Sequence, residues 1–600
     1  MGDTILLRRG TKANLPALQA GEPGWAEDAN QLFIGTSTGS AASAMPVGDY
    51  DYCPESFTQA SIETTLALIG TSNKVTLLIR PGTWPIISNA DWSAYTNVTF
   101  KIVPGAVLQI ATGTTTIIPL MDGSGLYQRF NCVGTGQVVF ASGAVKAAYP
   151  QWWGGSDFGL ALQGAINSTD KVVITPGTHT FTVAHYAPGD ISTFPLGVYL
   201  KNNSHIVIEQ GATVTQASGL KLRVFFAGNV SGTNNGIPLD NINVEVHGMI
   251  DGNYTNQGYP VEQGFQACPI GAFAKNSNFP LVRAQNYGRY GALYLAYGPH
   301  LNIGHVFAQN SHDVTYGVAT GVWLESAFQV NIDSIIGENL NGTGLYVSAG
   351  GGFWNVSNVQ TKTCSSAIGM SPGTSYPASD LNFANVISVG DGTGIYIEVY
   401  DPPFLEVRDI AFGQVNVSKA IGHGIQISAL ELATGRARRI TFGSLILKNN
   451  AQNGLNFAGG IQLLNSDNVK IGSIIAYDDQ TPKTQAYGIR LDANDTNITV
   501  VMGDLTGNSA GAVTGYNPIY HHISDVVGFK TENSGTSAAI ASGATIAHGL
   551  IATPDYVSIT AIDTGVTDIY VSAGAANIAV TFTGGGSHQF YWYARTARSN

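Results

Sequence analysis

Six hundred residues exceed what one hydrophobic core holds, so several domains are expected. Only 11% of the residues are charged, and 73 glycines beside many short Val/Ile/Leu runs favour short strands and tight turns over helices. The formal net charge is −12 and the longest basic stretch is Arg436–Arg439, which excludes binding driven by neutralising nucleic-acid phosphates.

The four cysteines (Cys53, Cys132, Cys268, Cys364) have neither metal-like nor redox-like spacing, and read as buried thiols made in a reducing cytoplasm. Met1 to Gly10 lacks the apolar stretch of a signal peptide, and no run approaches the roughly 20 apolar residues of a membrane span. The expectation is synthesis in the cytosol, no membrane insertion and, for work outside the cell, release by lysis. An acidic surface also suits a protein that meets an anionic polymer without unselective sticking.

Residues 1–40 are too short to hold a core alone. They carry Ile5-Leu6-Leu7-Arg8-Arg9-Gly10-Thr11, Leu15-Pro16-Ala17-Leu18, Gly21-Glu22-Pro23-Gly24 and Leu32-Phe33-Ile34-Gly35. This order resembles the N-terminal module of phage tail fibres and spikes, which implies a virion-proximal end that meets tail or baseplate proteins. Ser37 to Ala44 reads as a small-residue linker.

Residues 41–148 and the chain after 149 begin alike. The first has Ile62 to Ile69, Val75 to Ile79, Pro81-Gly82-Thr83-Trp84, Val98 to Ile102 and Pro104-Gly105-Ala106-Val107. The second has Leu160 to Ile166, Val172 to Ile174, Pro176-Gly177-Thr178-His179, Ile206 to Ile208 and Gln210-Gly211-Ala212-Thr213-Val214. Each predicts one helix, a strand, a Pro-Gly turn and further strands, with the helix covering an open sheet end. The link Tyr149-Pro150-Gln151-Trp152-Trp153-Gly154-Gly155 resembles the linker that opens the pectate-lyase-like domain of tailspikes.

Within residues 149–528, from about residue 240, a unit of about 23 to 36 residues recurs. Its copies open Gly321-Val322-Trp323-Leu324, Gly344-Leu345-Tyr346-Val347, Gly394-Ile395-Tyr396-Ile397, Gly424-Ile425-Gln426-Ile427, Gly460-Ile461-Gln462-Leu463 and Gly488-Ile489-Arg490-Leu491, with less regular ones near Gly291 and Ile368. Each continues with a second alternating run and a third that ends in Asn or Asp, as at Asn339, Asp391, Asn449 and Asp478. Three short strands per period, with Asn at corners that need left-handed backbone, predict an all-β fold: a right-handed parallel β-helix. Ile242 to Gly252 resembles a rung of pectin-degrading enzymes, which implies the pectin-lyase-like variety. Residues 529–600 change pattern and predict a small C-terminal β-sandwich of five or six strands. It resembles distal spike modules that hold a trimer together or touch glycan.

In a β-helix, equivalent outward residues line up along the axis. The first outward position is Trp323, Tyr346, Tyr396, Gln426, Gln462 and Arg490; the next is Glu325, Ser348, Glu398, Ser428, Leu464 and Asp492. Aromatic faces beside carboxylates and amides fit a sugar groove, with Trp323, Tyr346, Tyr396, Tyr400 and Arg490 as binding residues. Equally, such side chains occur as plain exposed strand residues or subunit contacts. Glycoside hydrolysis needs two carboxylates about 5–5.5 or about 6.5–9.5 Å apart. Glu398 with Asp401 is the first candidate pair, Asp391 and Glu431 are neighbours, and Glu325 belongs to another subsite if three coils separate it from Glu398. A lyase would instead need a base and a cation, for which Arg408, His423, Arg436, Arg438 and Arg490 are available. No metal or other cofactor is expected: Asp478-Asp479 reads as a solvated corner, and neither His312-Asp313 nor His521-His522 has a third ligand at a recognisable spacing.

Together the resemblances imply a bacteriophage tailspike, homotrimeric, carried on the virion tail, that binds and depolymerises capsular or O-antigen polysaccharide. Hydrolysis by paired carboxylates is the first expectation. β-Elimination and a glycan-binding adhesin that does not cut are the alternatives.

Overall fold

The computed structural model describes residues 8–10, 18, 21–26, 31–35, 44–46, 51–72, 74–155, 157–185, 195–228, 238–257, 268–288, 290–312, 319–372, 376–399, 406–429, 437–454 and 458–596. The chain divides into two compact units: Met1–Ala187 with Leu196–Leu220 and Ile242–Met249, and Pro188–Pro195 with Lys221–Asn241 and Ile250–Asn600. The second helix-led copy therefore groups with the first, and not with the coils that follow it.

In the first unit the short strands Arg8–Gly10 and Pro23–Ala26 pair in parallel, and Pro23–Ala26, Gln31–Gly35 and Ala44–Pro46 pair antiparallel. Ala44, expected in a linker, is paired with Gly35; the rest of that stretch lies outside the described residues. The two helix-led copies repeat one another in detail. Helices Gln59–Ile69 and Phe158–Ser168 start at side-chain caps, Thr58 and Asp157, which accept from the backbone N–H groups of Ser61 and Leu160. The first helix buries Ile62, Leu66 and Ile69, one stripe at helical spacing. Strand Val75–Ile79 then pairs in parallel with Val98–Ile102, and Gly82–Ile86 with Ala106–Ile110. In the second copy Lys171–Ile174 pairs with His205–Ile208, and Gly177–Phe181 with Ala212–Gln216.

The second unit holds a parallel β-helix. One register column runs Gly271, Tyr294, Trp323, Tyr346, Gly369, Tyr396, Gln426, Gln462, Arg490, Thr514, every neighbour paired in parallel. Inward neighbours such as Leu324, Val347, Ile397 and Ile427 are fully buried, and Phe383, Phe412 and Phe442 stack at 4.9 Å per step in the core. That step matches the spacing of hydrogen-bonded strands. The expected three short strands per coil are in part merged: the second and third run together, as in Val407–Ser418 and Ala437–Lys448, and two coils are continuous strands, Ala319–Leu340 and Thr343–Lys362.

The recurrent glycine has a packing cause. A Cβ at Gly394 would stand 2.5 Å from the carbonyl oxygen of Gly424 on the next coil, and one at Gly424 2.6 Å from that of Gly460. Corners are left-handed as expected at Asn339 and Asn449. A further corner holds left-handed residues through nine coils from Asn276 (φ 50°) to Asn497 (φ 56°), six of them not asparagine: His300, Gln329, Phe353, Asp380, Asp409 and Arg439.

Toward the C-terminus, eight strands between Glu532 and Arg595 form antiparallel sheets. Glu532–Thr536, Phe590–Arg595 and Tyr556–Ala561 make one sheet, and Thr545–Ala547, Asn577–Thr583 and Thr567–Ala573 another, around Ile578, Val580, Phe590 and Ala594. This is the expected sandwich with more strands. Among the described residues no helix is long and apolar enough to cross a membrane. All four cysteines are free; Cys268 and Cys364 are buried, whereas Cys53 and Cys132 are only half-buried.

Candidate functional site

Trp323, Tyr346 and Tyr396 present their side chains outward because each lies between two inward apolar residues of its strand, whereas Tyr294, at the same register position, is buried. Trp323 packs edge-on against Tyr346 at 4.8 Å, Tyr290 lies 4.7 Å from Trp323, and Tyr294 lies 6.3 Å from it. Phe273, itself buried, stacks on Tyr297 at 5.8 Å and continues the aromatic cluster inward. Gly369 interrupts the column: a Cβ there would come within 2.9 Å of the Tyr346 ring, so the missing side chain makes room for that ring. The adjacent column runs Phe273, Ala296, Glu325, Ser348, and then Glu398, Ser428, Leu464.

Glu325 is held by two phenols from the preceding coil. Tyr294 donates its hydroxyl to Oε2 at 2.7 Å and Tyr297 to Oε1 at 3.0 Å. Burial raises both phenol pKa values, Glu325 raises them further, and Tyr297 is pushed up to about 12. These groups are hydrogen-bond donors, poorly suited to act as bases. Tyr297 reaches Glu325 from a left-handed corner (φ 56°), where its own N–H donates to the Glu325 carbonyl. Tyr346 is hydrogen-bonded to Ser371, and burial first, then Glu398 and Glu325, raises its pKa. Glu398, half-buried, has no hydrogen-bond partner among the described residues.

The residues expected from the sequence are thus only partly brought together. Trp323, Tyr346, Tyr396 and Arg490 share one column and Glu325 and Glu398 the next, but three coil steps separate the two glutamates, about 14 Å along the axis. Glu325 also leans toward the coil before it, away from Glu398. Tyr400, Asp401, Glu431, Asp313 and Arg436 lie outside the described residues. Asp391 does not reach the outer face. It is fully buried at a corner, where it accepts from the hydroxyls of Thr361 and Ser388 and from the N–H of Cys364. Burial raises its pKa. Asp478, read as solvated, is also buried, accepting from the N–H groups of Gln480 and Gln485, while Asp479 pairs with Lys448.

The basic candidates are dispersed. Arg408 and Arg438 stand on a different column, both paired with Glu406. His423 is buried and accepts from the N–H of Gly459; burial, then the charge of Arg490, lowers its pKa to about 4. His521 is likewise internal, accepting from the N–H of Asn517. Among the described residues no three His, Cys, Asp or Glu side chains are placed to hold a metal ion. Tyr290, Tyr294 and Tyr297 do not stand out in the sequence because the copy near Gly291 departs from the repeating Gly-apolar-X-apolar opening. Gly291 pairs with Thr320, so Ala292 takes the glycine position and Tyr294 that of Trp323.

Comparison with known proteins adds one annotated segment. Residues 5–38 match the family model of the major tropism determinant N-terminal domain. No curated protein matches the chain. Solved structures similar to it include a mutant tailspike protein of E. coli bacteriophage HK620, 12% identical, covering 76% of this chain and 92% of that one at a TM-score of 0.42. The tailspike gp61 of Pseudomonas phage phi297 is 10% identical over 73% of this chain and 92% of its own, at 0.40. The Yersinia enterocolitica family 28 exopolygalacturonase is 11% identical over 62% and 76%, also at 0.40.

Proposed function

We propose that the chain is a phage tailspike, a homotrimer that binds and depolymerises a bacterial capsular or O-antigen polysaccharide. The observation that carries the reading is the outward aromatic column of Trp323, Tyr346 and Tyr396 with Glu325 and Glu398 beside it. Exposed aromatic rings cover the apolar faces of sugars, and the six steps from Trp323 to Arg490 span about 29 Å, room for several residues of a polymer. The match at residues 5–38 supports attachment of that end to the virion tail. In this reading residues 41–148 are a neck, 149–528 carry the groove, and 529–600 serve trimerisation or glycan contact.

Endo-hydrolysis is the favoured chemistry. Glu398 is the unpartnered carboxylate beside the rings, and Asp401, three residues on, is its proposed partner. Glu325, fixed by two phenols, positions sugar hydroxyls at a neighbouring subsite. β-Elimination is less favoured, because the nearby phenols have raised pKa values and Arg408 and Arg438 are committed to Glu406.

The test is mass spectrometry of host polysaccharide after incubation with the protein. Oligosaccharides carrying an added water, lost in Glu398→Gln, are expected. Unsaturated products that absorb in the ultraviolet would replace hydrolysis by elimination, and an uncut polymer that still binds would leave an adhesin.

A further inference from the structure

The two helix-led copies of the first unit differ at one place in a way that opens a cavity. Trp84 in the first copy and His179 in the second occupy the same position of the Pro-Gly-Thr-X turn. Trp84 donates Nε1–H to the carbonyl of Arg80, four residues back, at 2.9 Å; His179 places Nε2 2.7 Å from the carbonyl of Thr175, also four back. Each ring packs on a phenylalanine at 4.8 Å, Phe57 in one case and Phe158 in the other. Trp84 is fully buried, whereas the smaller imidazole borders a cavity of about 530 Å³.

The strand leading away has changed in the same sense. Pro85 and Ile87 in the first copy correspond to Thr180 and Thr182 in the second, while Thr83 corresponds to Thr178; Thr178, Thr180 and Thr182 all lie on the cavity wall. Because the Thr175 carbonyl only accepts, Nε2–H of His179 donates to it, and Nδ1 faces no described partner. Gln128 donates through Nε2 to the carbonyls of Phe130 and Trp153, and its Oε1 is likewise unoccupied. The hydroxyls of Thr178 and Thr180 also make no hydrogen bond to described residues. Asp157, in contrast, is engaged as the helix cap and by Thr182, so it is not an open cation ligand. Among the described residues no lysine or arginine lines the space, so an anion finds no counter-charge there.

We propose that this cavity is a second carbohydrate site, separate from the outward column of the β-helix unit, that takes one neutral hexopyranose residue. Its size falls in the range of small-ligand sites. The Phe158 ring supplies a flat apolar surface for a sugar's C–H face, while Nδ1, the Gln128 carbonyl and the two hydroxyls match a ring of hydroxyl groups.

The test uses the full chain and saturation-transfer NMR with methyl α-D-glucopyranoside, methyl α-D-galactopyranoside, methyl α-L-rhamnopyranoside and methyl α-D-glucuronide. His179→Trp installs the residue the first copy already accommodates, so the fold should tolerate it; Thr180→Val removes one hydroxyl at nearly constant shape. At least one neutral glycoside should receive saturation from the wild type and from Trp323→Ala, which disables the column. That signal should fall at least tenfold in His179→Trp and several-fold in Thr180→Val. No transfer to any neutral glycoside, transfer undiminished in both variants, or preference for the glucuronide would each overturn the assignment.

Discussion

At the scale of single residues, the support of Glu325 can be removed one oxygen at a time. Tyr297→Phe and Tyr294→Phe each delete one hydrogen bond to a carboxylate while keeping the ring, an interaction worth about 1.5–3 kcal/mol. On the proposed chemistry each should lower the rate of polysaccharide cleavage about tenfold or more, with product mass unchanged. Asp391→Ala should do the opposite. It leaves two buried hydroxyls and the Cys364 N–H without their acceptor, so it should lower stability by about 3 kcal/mol in chemical unfolding, with no specific effect on cleavage by the folded fraction. In the sequence Glu398 and Asp391 are both candidate acids of one coil, Glu398 on the strand and Asp391 at the turn before it. What separates them is partners 27 and 30 residues away, Cys364 and Thr361, which spacing along the chain does not reveal.

At the scale of the element, the repeating Gly-apolar-X-apolar opening was legible because its cause is local: alternation fixes the face, and close coil packing demands glycine. The register confirms the column at every copy from Gly321 to Gly488. The phenol clamp was not legible, since Tyr297 acts from a corner rather than from the strand pattern. Gly298, next to it, makes that corner possible. A Cβ at Gly298 would lie 1.5 Å from the Ala274 carbonyl oxygen, with no flexible side chain to yield. Gly298→Ala should therefore displace the corner. The expected results are a loss of cleavage at least as large as in Tyr297→Phe and a thermal midpoint lowered further than in Tyr297→Phe, which removes one hydrogen bond and leaves the corner in place. Equal effects of the two substitutions on the midpoint would argue against the corner as the cause.

At the scale of the molecule, the sequence exposed the duplication and the repeating coils but not the balance of buried charge that the coils carry. His423 and Asp495 are both buried in the β-helix unit, and burial drives their pKa values in opposite directions: His423 down from 6.5 to about 4, Asp495 up from 3.8 to about 6. His423 stays neutral when folded and gains a proton on unfolding below pH 6.5. Its stabilising contribution is whole above pH 6.5 and disappears as pH falls to about 4. Asp495 holds a proton when folded that the unfolded chain releases above pH 3.8. Its contribution is whole below pH 3.8 and disappears as pH rises to about 6. At about 1.4 kcal/mol per pH unit each slope amounts to roughly 3 kcal/mol, and over pH 4 to 6 they oppose one another. The wild type should thus show a shallow pH dependence there that hides two steep ones. Relative to it, His423→Gln should become progressively less stable from pH 4 to 6 as the Asp495 slope is uncovered. Asp495→Asn should become progressively more stable over the same interval, whatever constant offset it carries from facing an amide toward the Asp492 N–H that the carboxylate now accepts. Urea unfolding midpoints at pH 4, 5 and 6 read both slopes, and parallel curves for all three proteins would show that neither group changes protonation on unfolding.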